Sequence, residues 1–389
     1  MHFSIEYALL LASHIMGYGY FVAKIGGYLL YHPYRVITND LKTAVVIPVY
    51  NEDTSFFRRC LESVLNQSCQ PDEIFVVDDA SLSDQCYQIA HEFSLLNSRM
   101  TVHRFEKNMG KRMIHKWVIE HSQADILANI DSDVIMEPHA LEEALKPFTD
   151  PTIQGVATHT TATNYHVNWL TRYLGTVLIS QDFDRAALSA FDSAYATGRL
   201  CLFRTMVYKE YMNDYLYERF LGILMRSGDD SCMTRLAMRR GRVVYQETAH
   251  VQTPVAESLN VFLKQFLRWE RNTLQTNFRF IMELKIVRPF WLFNLLDLFS
   301  RLLFGPLFIV GIIVNPGIAL KSFAAFYFVF LMLSIRGRVT VLNESISWFW
   351  LLVAPILKIF QSMIATPIRV YALLTIRSDV WGTRQSLSI

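Results

Sequence analysis

The chain has 389 residues, a length that predicts two to three ordinary domains. Hydrophobic residues make up 52%, aromatic residues 13% and charged residues only 19%. This composition excludes a disordered protein, which has few aromatic residues and a high net charge. The formal net charge of +2 gives no bulk positive field, so we expect no nucleic-acid partner.

The five cysteines are scattered along the chain, with neither a CxxC pair nor a zinc-ligand spacing. That pattern is typical of a reducing compartment and excludes a small disulfide-framework protein. The mean hydropathy of +0.21 is too high for a wholly soluble enzyme and too low for a chain buried entirely in a membrane. The apolar residues must therefore be concentrated in particular segments.

The first apolar block runs from about Tyr7 to Tyr31, which exceeds the roughly 20 residues needed to cross a bilayer. It lacks a basic leading region, and Glu6 lies where that region would be, so a retained span is favoured over a secretory signal. His14 and Lys24 either face a polar pathway or, for Lys24, extend towards the membrane surface. We predict an N-terminal transmembrane helix within residues 1–38.

Residues 39–255 have the composition of a soluble domain, in which short β-branched runs alternate with amphipathic helical patterns. A helix over 53–67 is predicted to bury Phe56, Leu61, Val64 and Leu65. Strands that alternate with helices predict an α/β domain with a mostly parallel sheet, whose ligands bind at the carboxyl ends of the strands. The predicted strands are 43–50, 73–81 and 125–133.

The last third is apolar again, and we predict transmembrane or re-entrant helices within 289–376. Two candidate spans, about 290–314 and 318–335, are separated by the turn sequence "NPG" and should be antiparallel neighbours. The basic "RGR" that follows the second span indicates a cytoplasmic end. The block 346–376 is long for one crossing and too short for two.

Acidic residues follow two of the predicted strands. Asp131 and Asp133 are alternate residues of an extended segment, so both carboxylates can face one hard divalent cation that also binds a diphosphate. A solvated turn is the alternative, but the position directly after an apolar strand favours the metal. Asp78 and Asp79 could bind a nucleobase or a ribose hydroxyl, or could cap the next helix.

The sequence "GDD" (228–230) precedes a predicted helix that ends at Gly241. Asp229 and Asp230 would be stabilised there by the helix dipole, which is a sufficient explanation for one of them. The functional alternative is that one acid is a general base that deprotonates a hydroxyl group.

A helix over roughly 256–280, within a predicted interfacial segment 256–288, contains "QFLRW". Gln265, Arg268 and Trp269 share one helical face by their i, i+3, i+4 spacing. An amide, a guanidinium and an indole suit a diphosphate and a sugar ring. An interfacial amphipathic helix would have the same pattern, and the two interpretations are compatible.

Several other functions are excluded by missing motifs. "GKR" (110–112) is not a P-loop, although Lys111 and Arg112 remain a basic pair near the predicted nucleotide. No P-loop, HExxH or GxSxG sequence occurs elsewhere, which argues against an ATP-driven transporter, a zincin protease and an α/β-hydrolase. His250 is a weaker candidate for a residue near the metal.

The order of these motifs along 43–384 resembles processive family-2 glycosyltransferases such as hyaluronan synthases, chitin synthases and fungal capsule-type polysaccharide synthases. "ATGRLCLFR" is similar to the family's glycine segment near the acceptor, and "SDVWGTR", in the predicted tail 377–389, to a segment that closes hyaluronan synthases. The motifs are "VVIPVYNED" (45–53), "VVDDAS" (76–81), "DSD" (131–133), "GDD" (228–230), "QFLRW" (265–269), "ATGRLCLFR" (196–204) and "SDVWGTR" (378–384).

The resemblance implies a cytosolic, Rossmann-like GT-A domain on a multi-pass plasma-membrane protein. The enzyme would be inverting and would use UDP-GlcNAc, UDP-GlcA or UDP-Glc with Mg²⁺ or Mn²⁺. Its other partners would be membrane lipid and the growing polysaccharide, which would leave through the membrane helices. Carried over to this sequence, the resemblance implies that Asp78 and Asp79 bind uridine, and that Lys111 and Arg112 contact the nucleotide. Asp131 and Asp133 would bind the metal and the diphosphate, and Asp230, beside Asp229, would be the base. Gln265, Arg268 and Trp269 would bind the acceptor and the leaving diphosphate, and Trp381 would make a further binding contact.

The sequence departs from the family in two respects. Thr197-Gly198-Arg199 replaces a small-Gly-Pro turn, which puts acceptor placement in question. Fewer membrane helices are predicted than hyaluronan synthases carry, so a homo-oligomer or another exit route is an alternative. Two other functions stay open: a non-processive transferase that places one sugar on a polyprenyl phosphate or another lipid, and a non-catalytic membrane scaffold or channel.

Overall fold

The computed structural model describes residues 19, 22–36, 40–282, 289–340 and 348–378. Its contacts cluster into two units. The sheet unit comprises Leu30–Thr163 and Leu188–Pro254, and the helical unit comprises Met1–Leu29, Asn164–Ala187 and Val255–Ile389. The sheet unit is formed by two chain segments, because residues 164–187, inside the predicted domain 39–255, cluster with the helical unit.

The sheet unit is built on one eight-stranded sheet and a small separate hairpin. The sheet strands are β1 Thr43–Val49, β2 Glu73–Asp78, β3 Met100–Arg104, β4 Ile126–Ile130, β5 Ile135–Met136, β6 Ile153–Ala162, β7 Leu200–Arg204 and β10 Arg242–Thr253, and the hairpin strands are β8 Arg219–Phe220 and β9 Ile223–Leu224. The sheet order is β3-β2-β1-β4-β7-β6-β10-β5.

The predicted α/β fold with a mostly parallel sheet is confirmed. Strands β3, β2, β1 and β4 are parallel neighbours, and β6 is parallel to β10. Two strands run the other way: β7 is antiparallel to both β4 and β6, and β5 is antiparallel to β10. The reversed direction of β7 was not predicted, because a short buried apolar strand has the same pattern in either direction.

Helices cover this sheet and explain its continuous apolar strands. Every residue of β1 and β4 is buried, as expected for central parallel strands covered on both faces. The helices of the sheet unit are α2 Thr54–Leu65, α3 Gln85–Leu96, α4 Lys111–His121, α5 Ala140–Leu145, α7 Thr205–Leu216 and α8 Asp229–Arg240, with a 3-10 helix at Lys146–Thr149.

Helix α2 packs on the core through a face that shares Leu61 and Val64 with the predicted one. Phe57, Cys60, Leu61 and Val64 are buried, whereas Phe56 is only half-buried. These four positions follow the i, i+3, i+4, i+7 pattern, and Phe56 lies about 100° away around the helix. The choice of Phe56 was therefore wrong, because the predicted face overlooked the small apolar Cys60.

The helical unit consists of long helices. They are α1 over 22–30, α6 Trp169–Ser189, α9 Leu259–Met282, α10 Pro289–Val314, α11 Pro316–Thr340 and α12 Trp348–Leu374. Helix α12 contacts α9, α10 and α11, and α10 contacts α11 across the break at Asn315. Among the described residues no single helix is long and apolar enough to span a membrane. The segments Trp348–Gln361 and Ile364–Leu374 of α12, which meet at a 41° bend, are long and apolar enough only when taken together.

The predicted N-terminal span lies partly outside the described residues, and His14 is among those not described. Lys24 is described, and its Nζ donates a 2.8 Å hydrogen bond to Oδ1 of Asp184 on α6. Lys24 is 8% exposed. The Lys24 side chain is therefore buried and paired with an acid of α6, instead of extending to a surface.

A buried ion network joins the two helices of the sheet unit that carry predicted site residues. Glu218 accepts hydrogen bonds from Arg112 Nη2 of α4 at 2.5 Å and from Arg235 Nη2 of α8 at 2.7 Å. All three side chains are at most 7% exposed. Removing one partner of a buried ion group leaves an uncompensated charge, so this network should hold α4 and α8 together.

We expect Glu218→Gln to lower the free energy of unfolding of the sheet unit by about 3–5 kcal/mol, because two buried guanidinium groups lose their counter-ion. Thermal and denaturant unfolding of the full chain would measure this. Glu120→Gln is the control, since Glu120 pairs with Lys116 at the surface (3.4 Å) and should change little. Equal effects of the two substitutions would contradict the role of Glu218.

Candidate active site

The carboxyl ends of β1, β2 and β4 lie at one edge of the sheet, because the three strands are parallel neighbours. Three polar segments follow them directly: 51–53 after β1, 79–84 after β2 and 131–134 after β4. This edge is where ligands of open α/β sheets bind. Both predicted acidic clusters after strands lie there.

Asp78 stabilises the turn that follows β2. Its Oδ1 accepts a 2.7 Å hydrogen bond from Ser81 N, and its Oδ2 lies 3.7 Å from Arg104 Nε. Asn51, after β1, accepts from Leu82 N at 2.7 Å and so ties the two strand ends together. The predicted alternative that Asp78 or Asp79 caps the next helix is wrong, because α3 has Asp84 at its N-cap.

Asp79 fixes the loop that precedes α4. Its two carboxylate oxygens accept hydrogen bonds from Met109 N at 2.7 Å and Gly110 N at 2.9 Å. Gly110 has φ +83°, a conformation that disfavours other residues, and α4 begins at the next residue, Lys111. Asp79 therefore determines where the Lys111 side chain starts.

The structure separates the basic pair Lys111 and Arg112. Arg112 is turned inward to Glu218 and to the carbonyl oxygens of Tyr215 and Ser227. Its guanidinium is 7% exposed, so the predicted contact between Arg112 and a nucleotide is not supported by this geometry. The reason was invisible in the sequence, because Glu218 lies 106 positions further along.

The Lys111 ammonium lies among carboxylates. Its Nζ forms an ion pair with Asp131 Oδ1 and lies 4.0 Å from Asp229 Oδ2. Burial opposes the charged form, but Asp131 and then Asp229 hold the pKa of Lys111 above its ordinary value. Lys111 therefore stays charged and links the acid after β4 to the acid that opens α8.

Gly198 brings the second acidic cluster to the first. Its backbone N–H donates a 3.0 Å hydrogen bond to Asp230 Oδ2. A Cβ atom added to Gly198 would lie 3.2 Å from Asp131 Oδ2 and 3.5 Å from Lys111 Nζ. Asp131 and Asp230, about a hundred residues apart in the sequence, thus flank the same glycine.

The two acids that open α8 differ in their protonation. Burial and then the adjacent Asp229 carboxylate raise the pKa of Asp230 to about 6. Burial would also raise the pKa of Asp229, but Lys111 and then His115 hold it below its ordinary value. The Asp230 carboxylate accepts from Gly198 N and, at 2.7 Å, from Ser231 N. An oriented carboxyl group with a pKa of about 6 suits a general base.

Asp133 belongs to a second concentration of negative charge. Burial, then Asp131 and Glu52, raise the pKa of Asp133 to about 7. Glu52 also accepts a 2.7 Å hydrogen bond from Ser132 Oγ, so it orients the segment between the two aspartates. Glu52 was not among the predicted site residues, although its position three residues after the end of β1 was a usable signal.

The donor set suits a hard divalent cation, which binds oxygen ligands and would relieve repulsion among Glu52, Asp131 and Asp133. Within the described part of the chain, no three His, Cys, Asp or Glu side chains are grouped so as to hold a metal ion. A cation on Asp131 and Asp133 would therefore take further oxygen ligands from elsewhere, as Mg²⁺ does from substrate phosphates.

The remaining predicted site residues belong to the helical unit or lie outside the description. Gln265, Arg268 and Trp269 lie on α9 with the predicted spacing, and Trp269 is 37% exposed. Trp381 is not among the described residues. His250, on β10, contacts His159 of β6 edge-on, with 4.8 Å between ring centroids.

The chain is similar to known proteins along most of its length. The model of the family "Glycosyl transferase family 2" matches residues 44–212. The chain is 33% identical to hyaluronan synthase of Streptococcus pyogenes serotype M1 over 382 residues, covering 95% of this chain and 90% of that protein. It is 25% identical to an N-acetylglucosaminyltransferase of Azorhizobium caulinodans over 353 residues, covering 88% and 87% of the two chains.

A solved structure shares the fold. The mannosyltransferase PcManGT of Pyrobaculum calidifontis, in complex with GDP-Man and Mn²⁺, superimposes with a TM-score of 0.57 and 16% sequence identity. The match covers 97% of this chain and 100% of that one. At this identity the likeness demonstrates a shared GT-A-like fold alone.

We expect Lys111→Met to destabilise the protein by about 1–3 kcal/mol at pH 8 in the presence of a chelator, because partly buried carboxylates lose their cation. Without Lys111 the pKa values of Asp133 and Asp230, already raised by burial, would rise further, and that of Asp229 would no longer be held down. Their protonation restores stability as the pH falls, so the deficit should shrink between pH 8 and pH 5.

Thermal unfolding across this pH range tests the expectation. Lys116→Met, which removes an ammonium group from a surface pair of the same helix, is the matched control. A Lys111→Met deficit that stays constant or grows at low pH would show that the acids do not depend on this ammonium.

Proposed function

The chain belongs to glycosyl transferase family 2 and is a glycosyltransferase, and from this premise we propose that it is a membrane-embedded, inverting polysaccharide synthase. It uses a UDP-sugar to elongate, and to export, a β-linked polymer of the hyaluronan or chitin type. One observation carries the proposal: Gly198 lies against both Asp131 and Asp230. The acid that follows β4 is thus close to a carboxyl group with a pKa of about 6.

The nucleotide sugar binds at the carboxyl ends of β1, β2 and β4. The turn held by Asp78 and the loop held by Asp79 form the walls beside uridine, and Lys111 supplies positive charge for the diphosphate. UDP-GlcNAc is the first donor to test, since relatives are named as a hyaluronan synthase and an N-acetylglucosaminyltransferase. UDP-GlcA and UDP-Glc are the other candidates.

Asp131 and Asp133 would hold Mg²⁺ or Mn²⁺. When bound, the cation neutralises charge on the diphosphate and so favours its departure. Support comes from the crowding of Glu52, Asp131 and Asp133, and from the Mn²⁺ in the PcManGT complex of the same fold. Glu52 keeps the aspartates in place through Ser132.

Asp230 acts as the general base. At neutral pH a carboxyl with a pKa of about 6 is mostly ionised, and the N–H groups of Gly198 and Ser231 orient it. It accepts the proton of the acceptor hydroxyl, whose oxygen attacks the anomeric carbon while the bond from that carbon to UDP breaks. A single displacement inverts the anomeric configuration. Asp229 remains ionised and keeps the Lys111 ammonium close to Asp131.

On α9, Arg268 and Gln265 bind the departing diphosphate, and Trp269 gives the acceptor sugar a flat apolar surface. The spacing within one helical face and the match to the family motif support these roles. Arginine suits this task because its planar guanidinium binds phosphate oxygens bidentately. We assign a binding contact with the polymer to Trp381 from the motif alone.

Lipid contact accounts for the surface of the helical unit. Large apolar side chains on three of its helices are exposed, among them Ile313 (77%), Leu320 (69%) and Phe349 (65%). Extensive exposed apolar surface marks a membrane or protein interface. We propose a multi-pass protein of the plasma membrane, with the catalytic site on the cytosolic side and a homo-oligomer as one possible assembly.

We expect Asp230→Asn to lower the transfer rate about 10²–10⁴-fold while UDP binding stays nearly intact, because the base is lost and the donor contacts remain.

In the wild type, kcat/KM should fall tenfold per pH unit below about pH 6, where Asp230 becomes protonated.

Labelled-sugar transfer measures the rate of Asp230→Asn and the pH dependence of the wild type, and a UDP-binding assay measures the affinity for the nucleotide. Asp214→Asn is the control, since Asp214 is an exposed acid paired with Arg239. Turnover of Asp230→Asn near the wild-type rate would refute the role of the base.

We also expect chelation to abolish transfer and Asp133→Asn to raise the Mn²⁺ concentration needed for half-maximal rate. Both follow if the diphosphate depends on a cation held by the two aspartates. Titration of EDTA-treated enzyme with Mn²⁺ or Mg²⁺ measures this. Full activity in excess EDTA would show that Asp131 and Asp133 do not form a metal site.

The product decides between polymerisation and single transfer. We expect purified protein to release UDP from one or two members of a UDP-sugar panel and to make a long product that linkage-specific glycosidases digest. A product of one sugar on a lipid would instead support the non-processive alternative. An absence of transfer or hydrolysis with every donor would leave only the scaffold or channel function.

A further inference from the structure

Helix α9 buries one face, and that face contains a carboxylate. Phe262, Phe266, Glu270 and Leu274 are spaced four residues apart and are all buried. Glu270 is 3% exposed, although carboxylates are seldom buried without a partner. It directly follows Trp269, the last residue of the "QFLRW" motif.

One partner of Glu270 lies on α12. Arg369 Nε is 3.3 Å from Glu270 Oε2, and the two side chains are 12% and 4% exposed. Apolar residues surround the pair: Phe262, Phe266 and Ala365 form one cluster, and Leu274, Leu298 and Ala372 form another. This is an interior ion pair between two helices of the helical unit.

Two further polar contacts continue the same connection. Arg271 donates to Thr375 Oγ1 from Nε at 3.0 Å and from Nη2 at 2.9 Å. Gln275 Nε2 donates to the carbonyl oxygen of Ile376 at 2.7 Å. The middle of α9 is therefore joined to the end of α12, directly before the "SDVWGTR" segment in the sequence.

Apolar packing alone fixes the rotation of a helix poorly, because it is not directional. A buried ion pair has a preferred geometry, and separating its partners leaves a charge in an apolar interior. Successive residues are about 100° apart around a helix, so any rotation that moves Glu270 off Arg369 turns Arg268 and Trp269 by the same angle. The pair therefore restricts the direction in which both motif side chains point.

We propose that Glu270 and Arg369 are positioning residues, and that their ion pair fixes the rotational setting of α9 and thereby orients Arg268 and Trp269 for sugar transfer. The proposal rests on the transfer function proposed above. A buried ion pair adds little stability over apolar residues of similar volume. The contribution of this pair is accordingly geometric, and its loss should be visible in kcat more than in donor binding.

The test compares Glu270→Gln, Arg369→Gln and the exchanged pair Glu270→Arg/Arg369→Glu in the full-length protein. We expect either single substitution to lower kcat about 10- to 100-fold, since small misplacements of positioning groups have effects of that size. UDP affinity should change much less than kcat, because the proposed contacts with uridine and with Lys111 belong to the sheet unit and stay intact. The exchanged pair should recover much of the lost rate.

Amide hydrogen exchange gives a second readout that does not require activity. Exchange in peptides from Leu259–Met282 should increase in both single variants and return towards wild type in the exchanged pair. Lys264→Gln removes an exposed charge from the same helix and is the matched control for both measurements.

Unchanged exchange in Glu270→Gln would overturn the proposal, as would increased exchange with a wild-type kcat. A purely structural role would lower the yield of folded protein and leave kcat per folded molecule unchanged, which also contradicts it. If the wild type transfers no sugar from any donor, the proposed function fails. The exchange data then still decide whether the pair holds α9 in place.

Discussion

The arrangement of the site depends on the attraction between the Lys111 ammonium and the carboxylates around it. Acids from three parts of the chain, Glu52, Asp131 with Asp133, and Asp229 with Asp230, are partly or fully buried in one region of the sheet unit. Without a cation among them, repulsion and burial would favour their neutral forms. Lys111 keeps Asp229 ionised. Asp133 and Asp230 retain raised pKa values of about 7 and about 6.

Hydrogen bonds elsewhere in the sheet unit hold that ammonium group in position. Asp79 fixes the loop before α4 through two backbone N–H groups, and this sets the first residue of the helix. Arg112, the next residue, anchors the same helix in the interior through Glu218, which also binds α8. Two neighbouring basic residues thus have different tasks: Lys111 meets the acids, and Arg112 holds together the helices that carry them.

Much of this could be predicted from the sequence, for identifiable physical reasons. Strands β1, β2 and β4 are continuous apolar runs, and the acids at their ends stand out by contrast. The inward turn of Arg112 and the ion pair of Lys24 depend on acids more than a hundred residues away, which no local pattern reveals. The insertion of residues 164–187 into the helical unit was likewise invisible, because an amphipathic helix does not identify the element it packs against.

The reversed direction of β7 has a consequence for how such an enzyme changes over evolution. Because β7 runs antiparallel to β4, the segment that leads into it, 197–199, lies beside the segment that leaves β4, and Asp131 N donates to Arg199 O at 3.4 Å. The acidic loops leave the parallel strands β1, β2 and β4 at this edge, whereas the glycine segment enters its strand there from the opposite chain direction. Evolutionary change in the stretch before β7 therefore acts directly on the acid site, since a Cβ atom added at Gly198 would lie 3.2 Å from Asp131 Oδ2.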